Sequence, residues 1–530
     1  MVGVRPKAGS GLLVLAALVL AGSSGPSGVS RPVFRHVILF IGDGMSVESE
    51  VSASRYLYGS DTGLSWQAFP GHAFVATWDV TAYNANAALA GRPRYTPATF
   101  SPSLGYDVLE EGPVPRPCFK PGNGGRRITH RRGATDSASA ATAMATGSKT
   151  ESGRLAWRPG AAPDGRLETI AEEFRALRGA AIGVVTTVPF SHATPAAFVS
   201  HNTSRNHYYT GYRGFKGLGV ADEIIRQVKP DVVIGGGHPR YDNPTFDDQK
   251  GYISEELYRT LHNSPDYVLA ERKEGVAGDR TLAEAAAEAV RLGKKLFGLF
   301  GGSGGNFAVP VPENAPGAPR VEKPGPEDPS LREATVAALT VLGGNPNGFF
   351  LMVEQGDIDW ANHDNNFRGL IGTMADLDAA VKGAIAFVDR PGDDIDWSNT
   401  VLLVTADHAT GGLCLNPGRP LGAGVLPRQF RRLEAPESDA GVEENGTTKI
   451  LPRSVAYRSP YIYPDGEVSY TTGGHTNDLV TLAVSAPAYQ VFLKYKGWWY
   501  PGPIIDNTQI NAAIRDALGL RRENPAPNPF

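Results

Sequence analysis

The sequence predicts an α/β fold: a large, mostly parallel central sheet flanked by helices on both faces, with loop insertions and a small cap- or crown-like insertion. Three observations carry this expectation. Short, unbroken apolar runs recur along the chain, helical stretches lie between them, and each run ends in polar residues able to hold a metal or a phosphate. Continuous apolar runs read as strands buried on both faces, the habit of parallel sheets. Open sheets of this kind bind ligands beyond the carboxyl ends of their strands.

The chain opens on a segment that reads as a signal peptide. Arg5 and Lys7 are a short positive region, Gly11–Ala21 is an apolar run too short for a comfortable membrane span, and Gly22, Ser23 and Ser24 are small enough for a cleavage site. An uncleaved anchor is the alternative. No cysteine follows the run, so lipid attachment is not offered. Residues 1–30 are therefore set aside as signal peptide and linker, with a periplasmic or secreted location expected. A single catalytic domain is expected over 31–505, and a tail over 506–530.

Within that domain the first run, His36–Ile41, ends at Gly42-Asp43-Gly44. An insertion rich in Pro, Gly and Arg follows at 84–132. A helix is expected to start near Asp136, because the run after it is small and Ala-rich. Leu167–Leu177 reads as helix, and the run Ala180–Thr187 leads into Ser191-His192-Ala193-Thr194. Helix Leu282–Leu292, a Pro-rich surface loop at 303–330 and helix Leu331–Leu342 come next. The run Phe349–Val353 ends at Glu354, Gly372–Val388 is helical, and Val401–Thr405 ends at Asp407-His408. The insertion at 415–470 is first acidic, then Tyr-rich, and suits a small subdomain or an interface.

Composition narrows the function classes. The formal net charge of −4 provides no global basic field, so nucleic acid is not expected as a partner. The 63 glycines and 41 prolines point to long loops. Cys118 and Cys414 are far apart in sequence and fit one disulfide in an exported chain or two free thiols.

Several residues could carry chemistry. Ser137 at a helix start is surrounded by free backbone N–H groups, a good place for a phosphate, although such a serine is more often only a cap. Asp359 and His363 stand four apart, so a helix would put them on one face, where carboxylate and imidazole suit Zn²⁺. Asp407-His408, Asp43 between glycines and His475 on a Gly-rich loop add further ligands. Each has an ordinary reading as a cap, turn or solvated side chain. Their coincidence at several strand ends argues for one gathered site.

Together these residues resemble the alkaline phosphatase family. The resemblance rests on Asp43, the TDSA segment Thr135–Ala138, ATPAA at Ala193–Ala197, Ser204-Arg205, Glu354 with Asp359 and His363, TADH at Thr405–His408 and GGH at Gly473–His475. It extends to Pro329-Ser330-Leu331 and Asn347-Gly348-Phe349-Phe350 and covers about residues 33–500. The resemblance implies Ser137 as nucleophile and Arg205 as the clamp on two phosphate oxygens. It implies one zinc on Asp359, His363 and His475 and a second on Asp43, Asp407 and His408. A third ion, usually Mg²⁺ with Co²⁺ as a substitute, would sit on Asp43, Thr194 and Glu354. His192 and Trp360 depart from the pattern of other bacterial members. His192 would reach the Mg²⁺ site only through water or would weaken it, and Trp360 would stack beside substrate in place of a charged contact. His201, four residues before Arg205, is a candidate support for it.

The expected activity is hydrolysis of small phosphate monoesters to alcohol and inorganic phosphate through a phosphoserine, for phosphate scavenging. The resemblance further implies a homodimer, and no stable membrane association is expected once the leader is cleaved. The rival readings are a phosphodiesterase or sulfatase on the same type of fold, a binding protein that has lost catalysis, and an adhesion role for the 415–470 insertion.

Overall fold

The computed structural model describes residues 34–108, 133–160, 164–415, 420–426, 429–431, 441–444, 447–450, 468–470 and 472–520. The leader, the arginine pairs at 126–127 and 131–132, and Cys118 lie outside the described residues. Cys414 is buried and disulfide-bonded.

Ten strands form the main sheet: β1 (His36–Gly42), β2 (Gly71–Ala76), β3 (Ala181–Pro189), β4 (Val232–Gly236), β5 (Tyr267–Glu271), β6 (Lys295–Leu299), β7 (Phe349–Gln355), β8 (Thr400–Thr405), β9 (Val480–Val484) and β10 (Ile504–Asp506). Their order is β10-β2-β9-β8-β1-β7-β3-β4-β6-β5. Every neighbouring pair is parallel except the two that involve β9, which runs against the rest. The four apolar runs of the sequence are the four adjacent central strands β8, β1, β7 and β3. All residues of these four strands are buried. A strand covered on both faces has no polar side to alternate with, which is why these runs are unbroken.

Two sets of helices cover the sheet. One set packs α5 (Gly278–Leu292), α6 (Leu331–Leu342), α8 (Phe367–Val388) and α1 (Val47–Tyr58) against one another; the other packs α2 (Ser137–Thr146) against α4 (Ala193–Val199) and α9 (Asn507–Leu518). A shorter helix, α7 (Asp357–His363), follows β7 directly, and α3 (Ile170–Arg178) precedes β3.

The insertions are partly ordered. The 303–330 stretch holds a short hairpin, Val311–Pro312 against Val321–Glu322. A separate five-stranded sheet joins Leu413–Leu415 to four strands between 429 and 470. The expectation of a tail from 506 needs correction. Ile504–Asp506 is the edge strand beside β2, and α9 buries Ile510, Ala513, Ile514 and Ala517. Asp506 caps α9, accepting from the Thr508 N–H. The apolar spacing 510, 513, 514, 517 is that of an amphipathic helix.

Candidate functional site

The sheet gathers the candidate ligands by register. Ile41 of β1 stands beside Glu354 of β7 on one side and Thr405 of β8 on the other. The carboxyl ends of three neighbouring strands are therefore level, with Glu354 at that level and Asp43, and Asp407 with His408, just beyond it. Asp359 and His363 share a face of α7, and Thr194 lies in the first turn of α4 after β3. His475 precedes β9. Because β9 is antiparallel, the loop before it returns to this same edge.

Two groups with metal-ligand spacing result among the described residues: Asp359, His363 and His475, and Asp43, Asp407 and His408. In the first, His363 Nε2 is 3.2 Å from Asp359 Oδ2, His475 Nε2 is 3.6 Å from Asp359 Oδ1, and the two Nε2 atoms are 3.1 Å apart. In the second, His408 Nε2 is 3.3 Å from Asp43 Oδ1 and 3.4 Å from Asp407 Oδ2.

Neighbours fix which imidazole nitrogen is free. His363 Nδ1 donates to the Gly473 carbonyl at 2.6 Å, and His475 Nδ1 donates to the Thr135 carbonyl at 2.8 Å. The Thr410 hydroxyl donates to Asp359 at 2.6 Å, so its 3.2 Å contact with His408 Nδ1 must be one it accepts. All three histidines thus turn Nε2 toward carboxylate oxygens. Burial keeps His408 and His475 neutral, so their Nε2 lone pairs face carboxylates, which is repulsive unless a cation lies between; against burial, Asp359 raises His363 to about 9, and its Nε2 proton holds the place a cation would take. The carboxylates say the same: Asp43 Oδ1, Asp407 Oδ2 and Glu354 Oε1 are buried with no hydrogen-bond partner among the described residues. A buried anion without a partner costs several kcal/mol, roughly, unless it coordinates a metal. The donor set of imidazole and carboxylate suits zinc, and the all-oxygen set of Asp43, Thr194 and Glu354 suits a harder ion.

Without a cation, burial dominates the titration of Asp43, Asp407 and Glu354. Burial, with Asp407 and Asp359 nearby, pushes Asp43 far up. Burial raises Asp407, and burial lifts Glu354 to about 7 against hydrogen bonds from Thr186 and Thr194. Burial also drives His408 well down, so its ring is neutral and free to ligate. Thr194 Oγ1 donates to Asp43 at 3.4 Å, which brings the third group beside the second.

Ser137 is the first residue of α2, and its Oγ lies 3.2 Å from His408 Nε2. Arg205 Nη1 donates to Asp136 at 3.1 Å, and its Nη2 lies 3.3 Å from His192 Nε2. The guanidinium is thereby held from two sides next to the serine. His192 thus contacts Arg205, and burial with the Arg205 charge holds it down at about 3. Trp360 meets the His192 ring edge-on, centroids 5.9 Å apart. His201 does not support Arg205. It is held by Glu172 at 3.0 Å, with Glu223 at 3.8 Å, and these carboxylates raise it to about 9 against burial. His201–Arg205 is not helical, so a spacing of four does not put the two side chains on one face.

Three residues that the sequence reading left out of the site belong beside it. Asp136 caps α2 through the Ser139 N–H and also orients Arg205. Thr410 sets the His408 tautomer, and Thr186 donates to Glu354. Asp136 was readable as a cap; its second role depends on a fold contact across 69 residues.

Comparison with known proteins gives the family and the fold. The family model described as alkaline phosphatase matches residues 125–435, more than half of the chain. Streptomycin-6-phosphate phosphatase of Streptomyces griseus is 29% identical over 547 residues, covering 97% of this chain and 96% of that protein. Alkaline phosphatase 3 of Bacillus subtilis is 27% identical over 419 residues, covering 72% and 77%. The crystal structure of Thermus thermophilus alkaline phosphatase shares the fold, with a TM-score of 0.57, 21% identity and coverage of 96% and 97%. That of a variant alkaline phosphatase from TAB5, with Mg bound in its M3 site, gives 0.54 at 19% identity, covering 93% and 100%. With its sheet, its paired ligand groups and a family match over more than half of its length, the chain belongs to the alkaline phosphatase family and is a metal-dependent hydrolase of phosphate monoesters.

Proposed function

We propose that this chain hydrolyses small phosphate monoesters through a phosphoserine on Ser137, with two zinc ions and one Mg²⁺. Asp359, His363 and His475 would hold one zinc, and Asp43, Asp407 and His408 the other. Asp43 would also share the Mg²⁺ with Thr194 and Glu354, a site that Co²⁺ would accept as a substitute. Bound, such ions supply Lewis acidity at the entering and leaving oxygens and lower the pKa of a serine hydroxyl or water.

The protein's own groups do the positioning. Ser137 Oγ forms a bond to phosphorus as the P–O bond to the alcohol breaks. Water then forms the new P–O bond as the Ser137 ester breaks, releasing inorganic phosphate. Arg205, preset by Asp136, takes two phosphoryl oxygens in its planar fork, and the start of α2 turns free N–H groups toward the same anion. The observation that carries the reading is the set of three imidazole Nε2 atoms and three orphaned carboxylate oxygens beside the Ser137 hydroxyl.

Ser137→Ala should retain its metals by elemental analysis and lose about a thousandfold or more of turnover on p-nitrophenyl phosphate. Near-parental turnover would remove Ser137 as nucleophile. Parallel assays of the bis-ester and the sulfate separate a phosphodiesterase or sulfatase. Streptomycin 6-phosphate belongs in the same panel because the Streptomyces griseus relative matches nearly end to end. Phosphate scavenging outside the cytoplasm and a homodimer complete the proposal; a monomer by light scattering at micromolar concentration would reject the dimer.

A further inference from the structure

Behind the reacting serine, one small side chain is shared by more groups than its chemistry can satisfy. Ser139, on the first turn of α2, is buried. Its Oγ lies 2.6 Å from Asp136 Oδ1, 2.8 Å from Thr135 Oγ1 and 3.2 Å from Asp79 Oδ2. A serine hydroxyl has one proton to give. Thr135 Oγ1 also lies 3.2 Å from the Asp136 carbonyl, but its 2.8 Å contact gives its proton to Ser139; the Ser139 proton is then left for Asp79 or for Asp136, whose carbonyl is also 3.1 Å away. The shorter contact assigns it to Asp136.

Each neighbour connects to a different part of the site. Asp136 Oδ2 receives Arg205, and Asp136 Oδ1 also receives the N–H groups of Ser139 and Gly153 at 3.1 and 2.9 Å. Thr135 presents its carbonyl to His475 Nδ1. Asp79 is buried at the start of helix Val80–Leu89, where its other oxygen accepts from the Ala82 N–H at 2.7 Å. It thus sits within reach of the same hydroxyl as Asp136. Lys149, the buried cation nearby, pairs with Asp506 at 3.1 Å.

We propose that Ser139 is a positioning residue of the phosphate clamp: its hydroxyl locks the Asp136 carboxylate in the orientation that presents Arg205 to the substrate, and Asp79 competes for the same proton. Ser139 touches neither substrate nor metal and acts through Asp136. The inference rests on the proposed role of Arg205.

The two partners predict opposite outcomes. Ser139→Ala removes the lock while alanine, the best helix former, keeps α2 intact. Losing one hydrogen bond to a charged acceptor corresponds to about a tenfold effect. The metal-loaded enzyme should show a KM and an inhibition constant for inorganic phosphate raised about five- to tenfold, with metal content unchanged. Asp79→Asn removes the competitor, since an amide can accept from Ala82 and donate to Ser139; its phosphate inhibition constant should equal the parent's or fall below it. Ser139→Cys, close in volume and a weak donor, should lie between Ser139→Ala and the parent. In an Asp136→Ala background, Ser139→Ala should have no further effect.

An unchanged inhibition constant in Ser139→Ala overturns the inference. So does equal weakening in Ser139→Ala and Asp79→Asn, which is what a packing role would give, or a Ser139 effect that persists without Asp136. Arg205→Ala is the separate control. If it leaves phosphate affinity unchanged, the clamp reading itself fails; if it weakens affinity while Ser139→Ala does not, only the role of Ser139 fails.

Discussion

Arg205 shows how much of this site depends on the placement of a few hydrogen bonds. Its backbone N–H donates to the Gly153 carbonyl at 2.7 Å, and its side chain spans Asp136 and His192. A planar fork held on both sides loses little freedom on binding an anion. Lysine would keep the charge and lose the fork. Arg205→Lys should therefore keep its full metal content and show weaker phosphate inhibition by about tenfold or more. Phosphate inhibition within about twofold of the parent would mean that charge alone suffices. His475 makes the parallel case for the metals. The Thr135 carbonyl fixes its ring and its Nε2 completes a three-ligand group. His475→Ala should cost one equivalent of zinc by elemental analysis and leave the Asp43, Asp407 and His408 group loaded.

At the scale of elements, the helix that carries Ser137 is anchored at both ends. Asp136 caps its start, and Gly147 ends it in the left-handed region at φ 73°. A Cβ on Gly147 would meet Asn511 Oδ1 at 2.9 Å. Asn511 holds α9 to α2, together with Asn507, since its amide donates to the Met144 and Ala145 carbonyls at 3.0 and 2.9 Å. Gly147→Ala therefore combines backbone strain with displacement of that amide. It should cost about 1–2 kcal/mol and lower the Tm, with zinc content preserved. A melting curve that matches the parent would show that α9 does not brace this helix.

The same elements explain what the sequence made legible. β1, β3, β7 and β8 were readable because burial on both faces leaves an unbroken apolar run, and α6 was readable at its observed ends. β4, β5 and β6 were not singled out, being five residues each and carrying glycines or charges at their ends. β9 was missed although its direction is what returns His475 to the site. Strand direction is a property of pairing, and no residue in Val480–Val484 encodes it locally. The tail expectation failed for a related reason: α9 has the apolar period of a helix, but its burial is decided by α2, more than 350 positions earlier. The candidate ligands were legible as residue types at strand ends and by family resemblance. Their hydrogen-bonded supports, Asp136, Thr410 and Thr186, depended on contacts that only the folded chain makes.

For the whole molecule, the site is a stability problem that a cation solves, and the solution has a pH signature. Among Asp43, Asp407 and Glu354, burial raises every folded-state pKa, Glu354 to about 7. A group whose pKa is higher folded than unfolded adds stability below its unfolded value and loses it as pH rises through its folded value. His408, His475 and His192 have the opposite sign, since burial lowers them and their penalty disappears as pH rises to about 6.5; metal-stripped protein should therefore weaken from about pH 6.5 to about pH 8, because the fold must hold like charges together. Bound divalent ions reverse this, since they favour the ionised ligands and bind only the folded chain; at a thousandfold excess over Kd one site adds about 4 kcal/mol. Glu50 and Asp376 are also pushed to about 7 by burial, but neither belongs to a ligand group, so they act alike in both forms. The informative quantity is thus the difference in Tm between zinc-loaded and chelator-treated protein. It should widen as pH rises across that window and close again when zinc is restored. A difference that is constant or narrows with pH would mean that the ions do not neutralise this buried carboxylate cluster.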